Sequence, residues 1–71
     1  MIDPITKAAK TFGFAAREVP AGYFIAPVRA DGTLGDDTTL IKHSGEIVPY
    51  DNHGAQAHLC AQAVTAALAT T

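Results

Sequence analysis

With 71 residues, 48% of them hydrophobic and 17% charged, the chain has the composition of one globular domain over residues 1–71 and not of a disordered segment. A formal net charge of −2, with Lys7, Lys10, Arg17, Arg29 and Lys42 scattered along the sequence, argues against the basic patch that binding to a phosphate backbone requires. Cys60 is the lone cysteine, which excludes an internal disulfide, and no apolar run approaches the roughly 18 residues of a membrane span.

The opening MIDPITKAAK has no charged leader followed by an apolar run. With the single thiol, this leads to the expectation of a cytoplasmic protein with no membrane partner. Folding a chain of this length removes roughly 60% of its extended surface, so the core is thin. Either it packs unusually well or association completes it.

The first element is a helix. Asp3 is an N-cap, Pro4 takes the first helical position, and Ile5, Ala8, Ala9 and Phe12 form one apolar stripe opposite Lys7 and Lys10. Gly13 offers a left-handed stop with Phe14 just beyond it, or else the helix continues through it to Arg17. Pro20-Ala21-Gly22 breaks the pattern. A strand follows over 23–29 (YFIAPVR), where Pro27 implies a sheet edge or a bulge. Residues 30–37 read as turn and loop. A second strand over 38–43 and a third over 46–50 flank Ser44-Gly45. A two-residue loop there pairs His43 with Glu46, Ile41 with Val48 and Thr39 with Tyr50. Asp51-Asn52 is an N-cap candidate for a last helix over 53–71. The expected fold is therefore α+β: a three-stranded antiparallel meander packed by an N-terminal and a C-terminal helix.

The C-terminal helix is the informative anomaly. On a helical wheel Ala57, Cys60, Ala61, Val64, Ala67 and Leu68 gather on one face, suited to lie on the sheet. The opposite side holds Ala55, His58, Leu59, Gln62, Ala66 and Ala69, and residues 52–71 contain no Lys, Arg, Asp or Glu. A surface helix normally carries charge outward. Depletion of charge beside small side chains suits the centre of a protein contact. An alanine-rich helix stable by its own propensity is the plainer explanation.

Chemistry is sparsely encoded. His53 and His58, five apart on one helix, diverge by about 140° and so do not share a metal, and no zinc-type spacing such as C-x₂-C occurs. Cys60 lies on the buried stripe, where a thiol acts as a small hydrophobe. Ser44 beside His43 lacks a nucleophile-elbow sequence. The loop Asp31-Gly-Thr-Leu-Gly-Asp-Asp37 has its acids out of frame for calcium. No cofactor, metal ligand set or catalytic grouping is therefore expected.

The leading expectation is a non-enzymatic module that binds another protein. It would use Ala55, His58, Leu59, Gln62 and Ala66, with Asp36 and Asp37 on a protruding loop steering it to a basic surface and the Pro27 strand open to a partner strand. Being short, disulfide-free and poor in motifs, the chain resembles in general character the small proteins of phages and mobile elements, including anti-CRISPR inhibitors, although no motif matches any one such family. Two alternatives are a homo-oligomeric assembly subunit, such as a homodimer through the last helix, and a small enzyme dependent on a metal or on the thiol.

Overall fold

The computed structural model describes residues 3–70 and shows an α+β fold in the order α1 (Pro4–Thr11), β1 (Phe14–Val19), β2 (Gly22–Pro27), β3 (Thr39–Lys42), β4 (Ile47–Pro49) and α2 (Ala55–Ala69). The strands form one antiparallel meander in chain order, with four strands where the sequence led to three. Thr71, the last residue of the expected C-terminal helix, lies outside the described residues.

Asp3 caps α1 as its sequence position implies. Its carboxylate accepts from the Thr6 N–H at 2.9 Å and from the Thr6 hydroxyl at 2.9 Å. These bonds, the backbone one foremost, hold the Asp3 carboxyl below its ordinary value of 3.8. The cap is thus at full strength above that value and is lost as the pH falls through the lower, folded one. Ile5 and Ala9 are buried, and the helix stops before Gly13, whose φ of +82° turns the chain directly into a strand.

That strand, β1, is the element missing from the sequence reading. Phe14–Val19 reads FAAREV, and Ala, Arg and Glu favour helices over strands. Pairing with β2 overrides that preference, in a register from Phe14↔Pro27 to Val19↔Gly22 across the loop Pro20-Ala21. The added strand also makes β2 internal. Pro27 therefore marks neither a sheet edge nor a site for strand addition, contrary to expectation. It is the last residue of β2, and the ladder closes around it: the Val28 N–H bonds the Gly13 carbonyl at 2.9 Å, while the Pro27 carbonyl accepts the Gly35 N–H at 2.8 Å. Leu34 forms an isolated bridge to Val28, so the intervening loop folds back toward β2.

The β3–β4 register also differs from the expected one. The pairs are Thr39↔Pro49, Leu40↔Val48 and Ile41↔Ile47. The connection is a three-residue loop, His43-Ser44-Gly45. Lys42 donates its N–H to the Glu46 carbonyl at 2.9 Å, and Gly45, at φ +95°, donates to the Lys42 carbonyl at 2.8 Å. A left-handed glycine in third position is the usual closure of such a loop, and the extra residue shifts every pair by one.

Registered this way, the sheet has two unlike faces. The rows Ala16–Ile25–Thr39–Pro49 and Glu18–Tyr23–Ile41–Ile47 face the helices, and Arg17–Phe24–Leu40–Val48 faces away. On the helix side Ile25 and Ile41 are fully buried against Ile5, Ala9 and Phe14 and against Ala57, Cys60, Ala61 and Val64 of α2. Gly22, at φ +151°, lies so close to the carbonyl oxygen of Ile41 that a Cβ there would collide with it. We expect Gly22→Ala to lower unfolding stability by at least about 3 kcal/mol in urea denaturation, since the strained φ and the backbone clash add. An unchanged midpoint would show that this approach of β2 to β3 is not required.

Candidate functional site

Helix α2 divides as its periodicity implies. Ala57, Cys60, Ala61 and Val64 are buried, and Ala67 and Leu68 are half-buried against the same core. Ala55, His58, Leu59, Gln62, Ala66 and Ala69 are exposed on the outer side, with Leu59 49% accessible. The helix has no acid in its first turn, no base in its last and no side-chain cap, since its N-cap is Gly54 and not Asp51 or Asn52. Its outer face is therefore uncharged from end to end.

Asp36 and Asp37 do not extend this surface. Their loop folds over the opposite side of the sheet, where Asp36 and Asp37 line a shallow depression with Ala15, Arg17, Phe24 and Leu34. Asp37 Oδ2 is 2.8 Å from Arg17 Nη2. The guanidinium of Arg17 in turn sits 5.5 Å from the Phe24 ring centroid, and Phe24 meets Tyr50 edge-on at 5.5 Å. The acidic pair expected to protrude is thus half neutralised by a local ion pair. The residues taken together from the sequence separate onto opposite faces of a two-layer fold.

A second grouping forms where α2 begins later than the sequence implies, at Ala55. His53 precedes α2 and is not in its first turn, so the helical divergence expected between His53 and His58 does not apply. The two rings meet edge to face, with centroids 5.4 Å apart and His53 Nε2 3.3 Å from His58 Nδ1. His53 Nδ1 lies 2.6 Å from the hydroxyl of Thr39, which is fully buried. Thr39 Oγ1 is 3.2 Å from Thr38 Oγ1, and Thr38 donates to the Ile25 carbonyl at 3.1 Å. At the outer end the Gln62 amide is 3.2 Å from His58 Nε2. A continuous polar chain therefore runs from the sheet interior to the exposed side of α2. The signal for it is Gly54: an extended glycine just after His53 moves the cap and frees the ring from helical geometry.

The other chemistry-bearing residues stay apart. His43 packs edge-on against Tyr23 at 5.8 Å. Asp31 is occupied in its own turn, accepting from the Thr33 hydroxyl at 2.7 Å and its N–H at 3.0 Å, and these bonds, the hydroxyl one first, lower its pKa. Among the described residues no cluster of three or more His, Cys, Asp or Glu side chains gathers, and no helix is long and apolar enough to cross a membrane. Compared with known protein families, with curated proteins and with solved structures, the chain matches none.

Cys60 is fully buried, with its Sγ 4.0 Å from the Ala9 carbonyl oxygen. Burial pushes the thiol up to about 11, so little thiolate forms near neutrality. We expect no labelling of the native protein by a disulfide reagent at pH 8 on a timescale of minutes, and complete labelling of one thiol in denaturant. Rapid native labelling would place Cys60 at an accessible, reactive position.

Proposed function

We propose that the chain is a non-enzymatic protein-interaction module whose contact surface is the outer face of α2, in the manner of a small inhibitor that covers part of a partner. The observation that carries this reading is the exposure of Ala55, His58, Leu59, Gln62 and Ala66 on a helix side without formal charge. Contact centres are depleted of charge, and small side chains let another backbone approach closely. Leu59, about half accessible among alanines, supplies the one large apolar side chain such a contact needs. A cytoplasmic setting agrees with an unpaired thiol kept inside the core.

In this reading the Asp36–Asp37 loop stands apart from the α2 contact: it lies across the sheet from α2, and Asp37 pairs with Arg17. Leu59→Arg tests the proposal. The side chain is exposed, so the variant should keep its circular dichroism spectrum and its stability to within about 0.5 kcal/mol. It should nevertheless lose association, seen as a smaller sedimenting species or as loss of a protein captured by the unaltered chain. A concentration-dependent dimer of the unaltered chain would make the partner a second copy; a monomer that captures another protein would make it heterologous. Unchanged sedimentation and capture in Leu59→Arg would remove the reading.

A further inference from the structure

We infer that His53 and His58 form a two-histidine site for a divalent transition-metal ion of the zinc class. The geometry begins with the separation of the two ring nitrogens. Zinc–imidazole bonds of 2.0–2.1 Å at a tetrahedral angle place neighbouring ligand nitrogens about 3.3–3.4 Å apart. His53 Nε2 and His58 Nδ1 are 3.3 Å apart. As a direct hydrogen bond that distance is long, and it requires one ring to hold a proton in the gap.

The opposite nitrogens make the case. A metal-bound imidazole almost always donates its remaining N–H to a fixed acceptor, which sets the tautomer and aims the lone pair. His53 Nδ1 has such an acceptor in the buried Thr39 hydroxyl at 2.6 Å. That bond leaves Nε2 as the lone-pair nitrogen. The neighbour of His58 Nε2 is the Gln62 amide nitrogen at 3.2 Å, a donor as placed, so metal binding at Nδ1 requires the amide to rotate and let its oxygen accept the Nε2–H. In those tautomers both lone pairs lie on the two nitrogens that face each other. Each ring is thus oriented from behind, one by the sheet and one by the next turn of α2.

No third His, Cys, Asp or Glu joins the pair among the described residues, so water completes the coordination. Half the ligands of a four-ligand structural site imply a dissociation constant on the order of 10 µM. Imidazole nitrogen selects zinc, nickel or copper over magnesium, which prefers oxygen. Because His58 and Gln62 belong to the outer face of α2, bound metal would add a cation to a surface otherwise without charge.

Isothermal titration calorimetry of the full chain in a non-chelating buffer tests the site. Zinc chloride should bind with one-to-one stoichiometry, and magnesium chloride should not bind. His58→Ala, at an exposed helical position, and His53→Ala should each weaken zinc binding at least tenfold, while His43→Ala leaves it unchanged. Circular dichroism of each variant checks the fold, and His58→Ala decides the matter if His53→Ala does not fold. The absence of saturable zinc binding up to about 1 mM, or a zinc affinity left unchanged by the loss of either His53 or His58 in a folded variant, overturns the assignment.

Discussion

The fold depends on how closely two helices approach one sheet. The inward face of α2 is built from Ala57, Cys60, Ala61 and Val64, and α1 meets it through Ala9, which is fully buried. Small side chains on the helices leave the volume of the core to Ile25 and Ile41 on the sheet, with Ile5 and Phe14 at the side. A thin interior then gains density by interdigitating large sheet residues with small helix residues, which is how a short chain reaches close packing without a disulfide. The same alanines that allow this approach recur on the outer side of α2, where nothing in the described residues covers them.

Much of this was legible in the residues. The α1 cap at Asp3, the stop near Gly13 and the buried stripe of α2 all follow from local chemistry, and local chemistry is what a single sequence displays. The failures were of another kind. FAAREV became β1 only because YFIAP offered it a partner, a non-local influence that composition does not register. The β3–β4 register slipped by one because Ser44-Gly45 resembles a two-residue turn, whereas His43 belongs to the loop as well.

The candidate site shows the same division. The outer face of α2 was visible because helical periodicity alone defines it. The His53–His58 contact was not, because it turns on whether the helix begins at Asn52 or after Gly54, and boundaries are the least certain part of any sequence reading. A shift of two residues moves His53 from one side of a helix to a position against Thr39. The Asp37–Arg17 ion pair was hidden for a tertiary reason: Arg17 stands on the strand that the sequence concealed.

The meander also has a kinetic meaning. Every strand is bonded to its neighbour in the chain, and the β1–β2 and β3–β4 hairpins close loops of two and three residues, whereas β2–β3 closes the longer segment between Ile25 and Thr39. The packing of α1 against α2 is different, for it joins Ala9 to Cys60, 51 positions apart in the chain. Sheet assembly is thus a local affair, while docking of the terminal helices bears the greatest loss of chain freedom.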